Sequence, residues 1–187
     1  RDADNVPHNP LLQGLGPVPD TTPPTLRRLM IVPLSATASV DGGRVPVLVP
    51  VHPVDGGFEA SRAVRVWGRI GLAVDSHDRA DLATNKMAVL QHVLSVDGRT
   101  LLTSTYERVS YADGHLVALD RLRPAPDAGV FSALYRRPGN RLSFYRTPAE
   151  TRSGDGALLA GGKELPSGRH EVRVLARDVA GNETRAL

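Results

Sequence analysis

The sequence predicts an all-β protein built as an antiparallel β-sandwich, and three observations carry that prediction. From Leu26 onward, apolar residues recur at every second position, as strands with one face on a core require. Asp-Gly and Gly-Gly pairs fall between these runs, where tight hairpin turns need positive φ. The runs are short and the turns frequent, a spacing that suits a sandwich better than long helices.

Taken in order, residues 1–24 are rich in Pro and end in Asp20-Thr21-Thr22-Pro23-Pro24. They read as an extended arm and linker, a docking strap without a core of its own. Residues 25–187 read as one sandwich domain. Its strands show in Val45, Val47, Val49 and Val51, in Val64 and Val66, and in Ile70, Leu72 and Val74. The alternation continues through Ala88, Leu90, His92, Leu94 and Val96 and returns at Val172, Val174 and Ala176. Turns are marked by Asp41-Gly42-Gly43, Asp55-Gly56-Gly57, Asp97-Gly98, Pro138-Gly139-Asn140 and Gly181-Asn182. Asp97-Gly98 sets a hairpin of residues 87–96 with 99–106. Between 110 and 126 the pattern changes. Leu116, Leu119 and Leu122 stand three apart, which fits a short helix or irregular crossover stopped by Pro124 and Pro126. Strand character returns at 130–135 and 142–145, and 147–162 reads as a flexible loop. The stretch at about 107–165 is therefore an insertion in the sandwich.

One internal echo stands out. Gly68-Arg69 opens a strand that runs to Asp78-Arg79-Ala80, and Gly168-Arg169 opens one that runs to Asp178-Val179-Ala180. The two strands read as core strands built alike. Each ends in a turn in which the Asp accepts backbone N–H groups.

Composition removes function classes. With 187 residues and 41% apolar residues, the chain has enough material for a buried core. No apolar run approaches the length of a membrane-spanning helix. The absence of Cys rules out disulfides, thiolate zinc sites and cysteine nucleophiles. The net charge is +3, and all 23 basic residues except Lys86 and Lys163 are Arg. They are spread among Asp and Glu rather than gathered on one face, so no nucleic-acid partner is expected. Seven aromatic side chains besides Phe58 are too few and too scattered for a sugar-stacking platform, so Trp67 reads as packing or a partner contact.

Asp75, His77, Asp78 and Asp81 form the most suggestive cluster for a metal, offering hard oxygens and one imidazole. Alternation in a strand sends Asp75 and His77 to one face and Asp78 to the other. Convergence would need a sharp turn after Asp78, so turn roles are the expectation for Asp78, Asp97, Gly98, Asp178, Gly181 and Asn182. Ser, His and Asp are plentiful, but no Gly-x-Ser-x-Gly elbow occurs. The residues thus assign no catalytic side chain, no cofactor and no metal.

Two resemblances add to this. Asp20-Thr21-Thr22-Pro23-Pro24 resembles the opening of bacterial immunoglobulin-like modules. Their closing strand resembles Val174 to Asn182, and their middle strands resemble Gly68 to Asp78 with the Val96-Asp97-Gly98 hairpin. Arg1-Asp2 and His8-Asn9-Pro10-Leu11-Leu12 resemble the tail of lysostaphin-type (LytM-like) zinc endopeptidases, which cut peptidoglycan crosslinks. A subgroup of that family continues into a sandwich resembling Gly68-Arg69-Ile70-Gly71 to Asp78 and Pro138-Gly139-Asn140-Arg141-Leu142-Ser143-Phe144-Tyr145. The family's zinc ligands include a His-x-His pair, and none of His8, His52, His77, His92, His115 and His170 forms one. The resemblance therefore implies an immunoglobulin-like sandwich that is non-catalytic and extracytoplasmic, an accessory or interaction domain of a cell-envelope protein. Its partners would be proteins or a wall-associated assembly. The alternative is a structural subunit that stabilises a larger, membrane-bound periplasmic complex.

Overall fold

The computed structural model describes residues 6–14, 19–81, 83–148 and 154–187. The resemblance at Arg1-Asp2 lies outside them. A short 3-10 turn, Pro10–Gln13, precedes the strands. β1 (Thr25–Pro33), β2 (Ser39–Val40), β3 (Val47–Val54), β4 (Gly57–Ala60) and β5 (Val66–His77) make the first half. β6 (Gln91–Val96) and β7 (Arg99–Thr105) follow as a hairpin. Next come a 3-10 turn (Tyr111–Leu116), helix α1 (Val117–Asp120), β8 (Arg121–Leu122), β9 (Phe131–Ala133), β10 (Tyr145–Arg146) and β11 (Leu158–Ala160). β12 (Val172–Arg177) and β13 (Glu183–Ala186) complete the fold.

The chain is all-β, as the alternation predicts, but its ladders form one mixed, curled sheet. The hydrogen-bonded path runs β10-β7-β6-β12-β13-β4-β3-β1-β5-β9-β8, with β2 and β11 also on β5. Every pair of strands is antiparallel except β13 and β4, which run parallel at Ala186 and Phe58. The Leu187 N–H donates to the Phe58 carbonyl at 3.1 Å, and the Ala60 N–H donates to the Leu187 carbonyl at 2.7 Å. That junction joins two halves which a two-sheet sandwich would keep apart. It is tight: a Cβ on Gly57 would lie 2.4 Å from the Arg185 carbonyl oxygen.

The turns follow the dipeptides. Asp97 and Gly98 have φ of 49° and 77°, and Asp41 and Gly42 have φ of 50° and 79°. These left-handed pairs twist a hairpin in the sense its strands need.

Curling brings the two halves onto a common core. Leu26, Leu29, Val49, Ile70, Leu72 and Val74 from the first half pack with Leu94, Val96, Val174, Ala176 and Ala186 from the second. The opposite face of β5 is buried too, because Met30 and Ala73 are covered by Phe131. β5 therefore reads as a near-continuous apolar run, as strands covered on both sides do.

Three expectations change. The 107–165 stretch is woven into the sheet: β8 pairs β9, β9 and β11 pair β5, and β10 pairs β7. Within the expected loop at 147–162, residues 149–153 lie outside the described residues, but Leu158–Ala160 is a strand with Leu158 and Ala160 buried. Gly-rich flanks hid it, because an anchor of three residues is too short to show a period. The crossover at 110–126 is a 3-10 turn capped by Ser110, then one turn of α-helix. It ends at Arg121, before the prolines, because Arg121 and Leu122 pair with Ser132 and Phe131.

Candidate functional site

The sequence places Asp78 and Asp178 at the ends of two similar strands, and the fold brings those ends side by side. β5 and β12 each run out beside the arm, where Pro23-Pro24 leads into β1. Asp20, Asp78 and Asp178 each offer a carboxylate oxygen there, all within 4.8 Å of one another. Asp78 and Asp178 are 5% and 1% exposed.

Each carboxylate is positioned by its own backbone. Asp178 Oδ1 accepts the N–H groups of Gly181 (2.7 Å) and Asn182 (2.8 Å), and its Oδ2 accepts Asn182 Nδ2 at 2.8 Å. The same Asn182 Nδ2 donates to the Asp20 carbonyl at 3.0 Å, which ties the arm to the closing turn. Asp20 Oδ1 accepts the Thr22 N–H at 3.1 Å. The Asp78 backbone pairs in both directions with Met87, at 3.0 and 2.9 Å. Asp78 Oδ1, however, is buried with no hydrogen-bond partner. Burial first, and then the charges of Asp178 and Asp20, push the Asp78 carboxyl up to about 6. Burial, and then Asp178 and Asp81, raise Asp20 as well. Acids so placed repel one another, on top of the larger cost of burial.

The four residues the sequence singles out are dispersed. Asp78 alone joins the cluster. Asp75 is held by Arg28, whose Nη2 lies 2.6 Å from Oδ2 and also donates to the Ala128 carbonyl. Asp81 accepts the Thr21 N–H (3.1 Å) and hydroxyl (3.0 Å) and the Thr22 hydroxyl (2.7 Å). Those bonds hold its carboxyl below the usual range. His77 is half-buried, and burial followed by the positive charges of Lys86, Arg79 and Arg27 lowers its pKa. Of the turn residues, Asp97 accepts the Glu171 N–H at 2.9 Å and bonds His170 Nδ1 at 2.7 Å.

A nucleophile–base pair also appears that the sequence does not signal. Ser76 Oγ lies 2.8 Å from His92 Nε2. His92 is 1% exposed, and burial, helped by Arg121, lowers its pKa to about 3. Its Nδ1 has no hydrogen-bond partner, so no carboxylate orients the ring as hydrolase triads require. The pair reads as a core contact that holds β5 against β6, with His92 edge-on to Tyr106.

The third polar cluster surrounds Asp120, which is fully buried. It accepts the hydroxyls of Tyr106 and Tyr145 and pairs with Arg121 Nε at 2.9 Å. Arg121 also lies over the Tyr106 ring and bonds Ser132. This network locks the 3-10 turn and α1 onto β9 and β10.

His170 is the one titrating group whose consequence is direct. Its Nδ1 bonds Asp97, and its Nε2 lies 2.7 Å from the Pro166 carbonyl. Acceptors at both ring nitrogens favour the doubly protonated form, and the bond to Asp97 leads the rise in its pKa. A pKa raised in the folded state adds stability below the unfolded value of about 6.5. That stability is lost as pH rises through the folded value. A proton-detected NMR titration is expected to place His170 above 6.5, with Asp97→Asn bringing it back down.

No protein family, curated protein or solved structure matches this chain.

Proposed function

We propose that this chain is a non-catalytic accessory domain of a bacterial envelope protein. It holds its N-terminal flank in a fixed orientation against an immunoglobulin-like sandwich. One observation carries the reading: the arm is bonded to the sheet body at two separate places. At the first, the Asn9 N–H donates to the Glu107 carbonyl at 2.7 Å and the Val109 N–H to the Pro7 carbonyl at 3.4 Å. At the second, Thr21 and Thr22 grip Asp81 while Asn182 grips Asp20. These bonds pin the described parts of the arm at both places. Its resemblance to the tail and linker of lysostaphin-type endopeptidases supports an extracytoplasmic placement beside a peptidase-like unit. The immunoglobulin-like assignment draws on the core packed between the two halves, with β13 and β4 bridging them.

Non-catalytic character draws support from the polar groups. Asp75 and Asp81 are engaged in the fold, and the Ser76–His92 pair lacks an orienting acid. Two measurements test the proposal. Purified crosslinked murein incubated with this chain is expected to release no soluble muropeptides. Hydrogen exchange is expected to show protected amides at Asn9 and Thr21. Muropeptide release would end the non-catalytic reading, and unprotected arm amides would end the positioning role.

A second reading, a structural subunit of a larger, membrane-associated complex, draws on exposed apolar surface. Trp67 is 54% and Leu159 37% exposed, on the paired strands β5 and β11. No helix among the described residues is long and apolar enough to cross a membrane. Any such attachment would run through surfaces of this kind.

A further inference from the structure

We propose that Asp20, Asp78 and Asp178 form a calcium-type divalent cation site that fastens the arm to the ends of β5 and β12. The proposal stands on two observations. The first is the convergence of three carboxylate oxygens within 4.8 Å of one another. Calcium–oxygen bonds are about 2.3–2.6 Å, so two ligands at opposite poles of one ion lie at most about 5 Å apart. The second is Asp78 itself, 95% buried by its 5% exposure, with Oδ1 carrying no hydrogen bond. Buried polar atoms are normally paired, and a carboxylate oxygen left bare beside two other acids asks for a positive partner.

The donors select the ion. All three are hard oxygens, and no imidazole or thiolate belongs to the cluster, which disfavours zinc and copper. Magnesium binds reluctantly to sites with several protein carboxylates, because it keeps much of its water. Calcium accepts three carboxylates, with water or carbonyl oxygens completing its shell. The surroundings are prepared for it. Asn182 and the Gly181 N–H fix Asp178, the same Asn182 amide reaches the Asp20 carbonyl, and the Thr22 N–H fixes the Asp20 carboxylate.

The site joins segments distant in sequence: the arm, the end of β5 and the end of β12. An ion there would neutralise the repulsion that otherwise works against the second attachment of the arm. The inference does not depend on the accessory role, because binding is measured without any activity readout.

The test is calorimetric and thermal, on the whole chain after treatment with a chelator. Calcium chloride is expected to give a one-site isotherm with a dissociation constant below about 1 mM. It is also expected to raise the Tm progressively with concentration. Magnesium chloride at the same concentrations is expected to do neither. Asp20→Asn, at the half-buried arm position, is expected to weaken calcium binding at least tenfold while leaving the circular dichroism spectrum unchanged. Asp78→Asn is expected to remove the calcium response, and Asp81→Asn to retain it. Absence of heat and of any Tm change with calcium overturns the site. So does a Tm that rises on acidification alone, which would mean that a shared proton holds the acids together. An Asp20→Asn isotherm indistinguishable from that of the unaltered chain would also overturn it. That variant keeps the proposal open to refutation if Asp78→Asn fails to fold.

Discussion

Replacing Asp120 with Ala is expected to cost about 2–3 kcal/mol of stability, because it leaves two tyrosine hydroxyls short of their acceptor and a part-exposed Arg121 without its carboxylate. Asp120 is fully buried and accepts two tyrosine hydroxyls while neutralising Arg121. Without it, the Tyr145 hydroxyl keeps only a 3.5 Å contact with the Ala133 carbonyl. The Arg121 guanidinium, seated over the Tyr106 ring, would be left with Ser132 alone. Asp120→Asn retains an acceptor of the same shape and is expected to cost less, about 1–2 kcal/mol. Urea unfolding read by tyrosine and tryptophan fluorescence measures both. A difference below 1 kcal/mol between Asp120→Ala and the unaltered protein would show that the network is not a structural hub.

The second large effect belongs to Leu94→Ala, expected to cost about 2–5 kcal/mol through lost transfer energy and the cavity left behind. Leu94 is 0% exposed and sits opposite Leu102 on one side and Val174 on the other. Its side chain belongs to the core that both halves of the curled sheet share. Close-packed neighbours in this shared core have little room to relax, which places the loss toward the upper end. The exposed Leu159 on β11 is the control: Leu159→Ala is expected to change stability by less than about 0.5 kcal/mol. Comparable losses at the two positions would mean that Leu94 is not at the centre of the core.

Much of the scaffold is legible in the residues because its signals are local. Alternation plus Asp97-Gly98 suffices to place β6 and β7, and Ile70, Leu72 and Val74 suffice for the inner face of β5. The interleaving of 107–165 was not legible. β8, β10 and β11 are two or three residues long, and a period cannot be read from so few positions. The acidic cluster was half legible. The echo between Asp78 and Asp178 marks two equivalent strand ends, and Asp20 opens the Asp-Thr-Thr-Pro-Pro linker. That these three points meet follows only from how the strands pair across the fold, which no local spacing encodes. Ser76 and His92 illustrate the same limit. Each reads as one more residue in an alternating run, and the bond between them depends on how the faces of β5 and β6 oppose each other.

The parallel seam between Phe58 and Ala186 carries a kinetic consequence. Linking residues so far apart in sequence demands that a very large loop be closed before any ladder energy returns, which slows the search. Until β13 slots in, β12 and β4 each present a bare edge able to recruit a strand from another molecule. Refolding at high concentration should therefore lose material to association at this step, while dilute refolding should run slowly to completion.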